Sequence, residues 1–79
     1  MRKFGNYLRN VRRVSGMTQQ QAAEALGMDR SVYSYYETDK LLPDAATLWK
    51  LSKLYHRPHE EMVRVIIEQQ TDYYAQPLE

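Results

Sequence analysis

A chain of 79 residues is long enough for one small domain, and a core of that size gains stability from association with a second copy. It contains no cysteine, which excludes a disulfide framework and a thiolate metal site, and it has no apolar segment long enough for a membrane span or a signal peptide. We therefore expect a soluble cytoplasmic protein with no membrane partner. The net charge is only +1, but residues 1–16 hold five basic residues and no acidic one, which suits either one anionic partner surface or a solvated helix face.

The first predicted helix covers about residues 3–15. Phe4, Leu8 and Val11 recur at helical spacing and form one apolar stripe along it. Gly16 then supplies a residue that can adopt a left-handed conformation without strain, so we expect the helix to end there.

The second predicted helix begins at Thr18. Thr18 and Gln21 have the spacing of a capping box, in which each side chain binds the other residue's backbone N–H. The helix ends at Gly27, and three residues on one side of it can enter the core: Ala22, Ala23 and Leu26.

The third predicted helix covers about residues 30–38, with Asp29 as its N-cap. Tyr33 and Tyr36 lie three positions apart and can face inward together with Val32. Pro43 and Asp44 precede a fourth helix, whose inner stripe consists of Leu48, Leu51 and Leu54 with Tyr55 beside them.

The fifth predicted helix begins near Pro58, and its apolar side chains are Met62, Val63, Ile66 and Ile67. Residues 1–70 are thus expected to form one domain, and residues 71–79 a tail. That tail is expected to take part in dimerisation or to be derived partly from cloning, since Leu78-Glu79 is typical of a cloning remnant.

The second and third helices together have the pattern of a helix-turn-helix. Ala23 is small enough for close approach of a neighbouring helix, and Gly27 allows a sharp turn. Tyr33 and Tyr36 can bury one side of the third helix and leave its other side free to enter a DNA major groove.

An ordered set of residues spanning about 4–67 resembles the phage-repressor and Cro-type helix-turn-helix family, also called the xenobiotic-response-element family. The resemblance is carried by Leu8-Arg9, Arg12, Gly16-Met17-Thr18-Gln19, Ala23, Leu26-Gly27-Met28-Asp29-Arg30-Ser31, Tyr36-Glu37, Pro43, Thr47-Leu48 and Leu51. It implies a compact, all-α, five-helix fold like that of the lambda repressor, with the helix-turn-helix at helices 2 and 3.

The resemblance also implies roles for individual residues. Gln19 corresponds to a phosphate ligand at the start of the second helix, and Arg12 and Glu37 correspond to a structural ion pair. The candidate DNA-binding residues are Gln19, Asp29, Arg30, Ser31, Ser34, Tyr35 and Lys40, with Arg9 and Arg13 as further phosphate contacts. Arg30, Ser31 and Tyr35 match positions that face base edges, whereas Asp29 and Lys40 match positions near the backbone or groove edge.

Three departures from the family pattern bear on the fold. Tyr33 stands where a smaller β-branched residue is usual, so the core must accommodate a ring. Thr38-Asp39 replaces a pair ending in glycine, so Asp39 must tolerate a positive φ. Tyr55-His56 replaces a glycine and an apolar residue at the turn between the fourth and fifth helices.

The sequence offers no enzyme site. No nucleophile–base pair, glycine-rich phosphate loop or paired carboxylate is apparent, and no cofactor is expected. His56, His59 and Glu60 lie close in sequence, but a proline separates the histidines and a metal needs three or four convergent ligands, so no metal site is expected.

The resulting prediction is a sequence-specific regulator of transcription, expected to be a repressor that reads double-stranded DNA as a homodimer on a palindromic operator. Two alternatives remain open: an antitoxin that binds a toxin protein and regulates its own operon, and a protein-interaction module on the same fold. The predicted dimer interface consists of Val63, Ile67, Tyr73 and Tyr74. On the alternative interpretation, the aliphatic residues of the fifth helix all pack within the monomer.

Overall fold

In a computed structural model, which describes the backbone of residues 3–74 and the side chains of residues 4–68, the described residues form helices joined by turns and no strand. Its elements are α1 (Lys3–Val14), α2 (Gln19–Leu26), α3 (Arg30–Glu37), α4 (Ala45–Tyr55) and α5 (His59–Tyr74). The predicted all-α, five-helix class is confirmed. Helix α5 continues past residue 70, because no proline or glycine interrupts it there. Within the described residues, no helix is long and apolar enough to cross a membrane.

The turns around α2 follow the local sequence. The Gln21 amide donates to Thr18 Oγ1 at 3.0 Å and the Thr18 amide donates to Gln21 Oε1 at 2.9 Å, so the predicted capping box is present. Gly27 ends the helix in the left-handed region at φ 71°. Asp29 occupies the N-cap of α3 without a side-chain capping bond. The short link between α2 and α3 therefore fixes how the two helices meet.

The core lies where all five helices meet. Helix α3 packs against α1 and α2, α5 packs against α1 and α4, and α2 also contacts α4. The buried apolar residues are Phe4, Leu8, Ala22, Ala23, Leu26, Tyr33, Tyr36, Leu51, Tyr55 and Met62. This packing holds α3 from two sides and leaves its remaining side at the surface.

Two of the departures from the family pattern meet in the core. Tyr33 is fully buried, and its hydroxyl lies 2.6 Å from the hydroxyl of Tyr55, which is also buried. Burial and this hydrogen bond raise the pKa of Tyr33, so the hydroxyl stays neutral. His56, next to Tyr55, adopts a left-handed conformation with φ 55°, which glycine would adopt without strain.

The start of α1 rests on the end of α3. Gly5 is buried, and its amide donates to the Asp39 carboxylate at 3.1 Å. That bond satisfies one of the backbone donors in the first turn of a helix that have no partner within it. Asp39 has φ 60°, as the sequence predicts, and this conformation accompanies a carboxylate that caps α1.

Candidate nucleic-acid interface

Helix α3 has a buried side and an exposed side. Tyr33, Tyr36 and Glu37 are buried. Arg30, Ser31 and Tyr35 are exposed, with Tyr35 38% accessible, and Ser34 is half-buried and donates to the Ser31 carbonyl at 2.7 Å. The structure therefore brings together the four α3 residues that the sequence proposes for contact with DNA, including the three proposed for base edges.

Gln19 joins this exposed side to the interior. Its side-chain oxygen accepts a hydrogen bond from Arg30 Nη1 at 3.2 Å, and its side-chain nitrogen donates to Glu37 Oε1 at 3.0 Å. Gln19 stands at the first position of α2, and the two bonds hold that helix start next to the start of α3. The guanidinium of Arg30 is thus oriented before any partner arrives.

Glu37 is the acceptor on which this arrangement depends. Its carboxylate is buried and receives Arg12 Nε at 2.6 Å and Arg12 Nη2 at 3.1 Å. Burial alone would raise the pKa of Glu37, but hydrogen bonds from Arg12, Gln19 and Tyr33 outweigh it and hold the pKa below its usual value. A charged carboxylate is therefore held inside the protein by hydrogen-bond donors from α1 and α2.

Arg12 is committed to the same interior network. Besides its two bonds to Glu37, it donates through Nη1 to the Met17 carbonyl at 2.9 Å, in the turn before α2. The hydrogen bond to Glu37 raises the pKa of Arg12. This guanidinium is turned inward, so its role is to hold α1, the turn and α3 together.

The remaining candidate cations differ in their surroundings. Lys40 places its ammonium 5.5 Å from the centre of the Tyr35 ring, so the two side chains form one exposed unit. Arg9 lies with Nε 3.6 Å from Glu37 Oε1 and is partly drawn inward, whereas Arg13 is fully at the surface. Asp29 is exposed beside Arg30. Arg13 and Lys40 are therefore the more accessible of the cations proposed for phosphate contacts.

The proposed dimer residues have mixed surroundings. Val63 is half-buried and Ile67 is 57% exposed, whereas Tyr73 and Tyr74 lie outside the residues whose side chains the structure describes. Met62 is buried, and Val65 and Ile66 pack against the core. The side of α5 that faces the monomer core therefore passes through 62, 65 and 66, while Ile67 lies on the exposed side of the helix.

Sequence reasoning missed two side-chain clusters. One is the contact of Gln19 with Glu37 and Arg30, which joins residues too far apart in sequence for any helical spacing to indicate it. The other ties α1 to α5: the Tyr7 hydroxyl donates to Glu61, which also receives Arg57 Nε at 2.9 Å. Burial and the bond to Glu61 raise the pKa of Tyr7 to about 12.

Comparison with known proteins agrees with this geometry. A helix-turn-helix family model matches residues 8–62. The chain is 44% identical over 53 residues to the HTH-type transcriptional regulator ImmR of Bacillus subtilis, which is 67% of this chain and 42% of ImmR. It is 43% identical over 51 residues to the SPbeta prophage-derived uncharacterized HTH-type transcriptional regulator YonR of Bacillus subtilis, covering 65% of this chain and 47% of YonR.

A third relative comes from another organism. The chain is 41% identical over 51 residues to the HTH-type transcriptional regulator PuuR of Escherichia coli, covering 65% of this chain and 28% of PuuR. The chain thus matches less than half the length of each of these three relatives. No solved structure is significantly similar to the chain.

Proposed function

Because this chain belongs to the helix-turn-helix family, as the match over residues 8–62 establishes, we propose that it is a sequence-specific DNA-binding transcriptional regulator and not an enzyme. It binds double-stranded DNA in the cytoplasm with α3 in the major groove, and it acts as a repressor. Three relatives that are themselves called transcriptional regulators support this assignment.

The observation that carries the proposal is the arrangement around Arg30. An exposed arginine at the first position of α3 is held by Gln19, and Ser31, Ser34 and Tyr35 follow on the same helix. Arginine binds guanine through two hydrogen bonds in the major groove, and a helix N-terminus and nearby cations suit phosphates. Lys40 and Arg13 are the exposed cations that would neutralise the flanking backbone.

A selection of bound duplexes from a random DNA pool tests the function. We expect one enriched motif, and the affinity for it should fall by orders of magnitude between low and moderate salt, because each phosphate contact releases counterions. Arg13→Ala should reduce the salt dependence of binding by roughly one released counterion and weaken binding to all DNA sequences to a similar degree. Failure to enrich any duplex, or an affinity that salt does not change, would reject DNA binding.

Arg30→Ala should change sequence preference more than it changes general affinity. Loss of a two-bond contact to guanine should cost about 1–3 kcal/mol on the best site and relax the preference at one base pair. Repeating the duplex selection with Arg30→Ala and Arg13→Ala side by side measures this. An unchanged motif for Arg30→Ala would show that α3 does not read bases through this residue.

We further propose that the protein works as a homodimer on a palindromic site. One copy of α3 contacts only a few base pairs, and helix-turn-helix proteins gain specificity by placing two such helices on half-sites one helical turn apart. Ile67, 57% exposed on α5 and neighboured by the half-buried Val63, supplies apolar surface for the contact. Tyr73 and Tyr74 follow in sequence, and aromatic residues are favoured at interfaces.

Ile67→Glu should separate the two copies without unfolding either. We expect the variant to sediment as a folded monomer and to lose most of its affinity for a full palindrome while it keeps weak binding to a half-site. Arg64→Gln, at another exposed position of α5, changes the net charge by the same −1 and is the matched control. A wild type that is monomeric at concentrations on the order of tens of micromolar, or a dimeric Ile67→Glu, would place the interface elsewhere.

A further inference from the structure

The outer side of α4 carries a tryptophan that the proposed DNA contacts do not use. Trp49 is 52% exposed, and it is the single tryptophan of the chain. Large aromatic residues at the surface of small proteins often mark binding surfaces, because they offer much apolar area for little loss of side-chain freedom. Trp49 therefore calls for an explanation beyond the fold.

The Trp49 side chain is held in place from two sides. Lys53, one helical turn further along α4, places its ammonium 4.3 Å from the centre of the Trp49 ring. The ring of His59, at the start of α5, lies 5.8 Å away at a tilted angle. A ring fixed in this way has already lost much of the freedom that binding would otherwise remove, so it can act as a preformed anchor.

A groove of about 370 Å³ runs beside this ring. Its lining combines an apolar floor with two cations: Ala25, Leu26, Trp49, Lys50, Lys53 and Leu54. No carboxylate lines it, and among the described side chains neither lysine is within salt-bridge distance of an acidic residue. The carboxylate of nearby Glu24 instead accepts a hydrogen bond from Gln20 at 3.0 Å. We call the groove with Trp49 and the two lysines the α4 face.

We propose that the α4 face is a docking surface for an acidic segment of a partner protein, with an apolar side chain of that segment packed on Trp49. The two lysines would pair with the segment's carboxylates on either side of that contact. Charge complementarity of this kind orients a partner and disfavours basic ones. None of the groove residues belongs to the proposed DNA-binding set, so this docking does not depend on whether the DNA proposal is right.

Selection from a displayed library of random short peptides tests the proposal. Peptides retained by the wild-type protein and not by Trp49→Ala should be enriched in aspartate and glutamate around an aromatic or aliphatic residue. A synthetic peptide from that pool should shift the tryptophan fluorescence to shorter wavelength and saturate. Enrichment of basic or uncharged peptides, or equal retention by Trp49→Ala, would overturn the proposal.

Charge-reversed variants make the test specific. Lys53→Glu should weaken binding of the synthetic peptide by about tenfold or more, as measured by the anisotropy of a labelled peptide. Arg64→Glu makes an equal change of charge at an exposed position of α5 and should alter the affinity little. Both variants must melt like the wild type, and Lys50→Glu provides a second variant if Lys53→Glu unfolds.

Two other occupants of the α4 face would appear as distinct outcomes. If Trp49→Ala or Lys50→Glu abolished duplex binding and no acidic peptide was retained, the face would belong to the DNA interface. If Trp49→Ala dissolved a homodimer seen by sedimentation, the occupant would be a second copy. Either result would overturn the proposal.

Discussion

Replacing Glu37 by alanine is expected to cost about 3–5 kcal/mol of unfolding free energy, the range for removing one partner of a buried ion pair. The change leaves the Arg12 guanidinium without its 2.6 Å and 3.1 Å acceptors and removes the acceptor of Gln19. Small domains are stable by only about 5–15 kcal/mol, so the loss should appear as a much lower melting temperature.

Glu68→Ala is the matched control, because Glu68 is exposed on α5. Its stability should stay within roughly 0.5 kcal/mol of the wild type. Urea unfolding of both variants measures the difference. If Glu37→Ala unfolded at nearly the same urea concentration as Glu68→Ala, the ion pair would contribute little to the fold.

The lowered pKa of Glu37 also predicts how the free energy of unfolding changes at acidic pH. The pKa of Glu37 is lowered in the folded protein, so its contribution is complete above the unfolded value of about 4.3 and is lost as the pH falls through the lower folded value. Glu37→Gln should therefore lose stability less steeply below about pH 4.3 than the wild type does. Asp44 and Glu61 also have lowered pKa values, but they are present in both proteins and cancel in the comparison. Parallel pH profiles would contradict this assignment.

Gly5→Ala is expected to destabilise the protein, although glycine is a poor helix former and alanine the best one. Within α1 the propensity change alone would add about 1 kcal/mol of stability. An added Cβ, however, would lie 2.8 Å from the carbonyl carbon of Glu37 and overlap its carbonyl oxygen, which belongs to the backbone and cannot rotate away. The overlap should outweigh the propensity gain and leave a net loss of about 1–3 kcal/mol.

Asn6→Ala is the matched control for Gly5→Ala, because it gives the same helix an alanine at an exposed position. Thermal melting of the two variants shows whether each substitution stabilises or destabilises the protein. We expect Asn6→Ala to be neutral or slightly stabilising and Gly5→Ala to melt lower than the wild type. A Gly5→Ala protein that melts higher would show that α1 can move away from α3 without loss.

The sequence predicts well the helix caps and turns that depend on residues close together in the chain. The capping box of Thr18 and Gln21 and the left-handed Gly27 depend on residues a few positions apart, so local spacing is enough to predict them. The exposed side of α3 is predictable for the same reason. Tyr33 and Tyr36 mark the buried side of the helix, so the residues on its other side are expected to face solvent.

Contacts between distant residues are harder to predict. Family resemblance implies the pairing of Arg12 with Glu37, but no spacing in the sequence indicates that Gln19 binds both Glu37 and Arg30, because that contact depends on how α2 and α3 pack. The sequence predicts a positive φ at Asp39, but only the packing of α1 on α3 reveals that the Asp39 carboxylate also caps α1.

The hydroxyl pair of Tyr33 and Tyr55 makes these two positions epistatic. Each hydroxyl gives the other a hydrogen-bond partner in the core. Removing one hydroxyl leaves the other buried without this partner and should lower the free energy of unfolding by about 1–3 kcal/mol, whereas removing both can be nearly neutral. An evolutionary path from this pair to an apolar one therefore passes through a less stable single substitution, whichever of the two positions changes first.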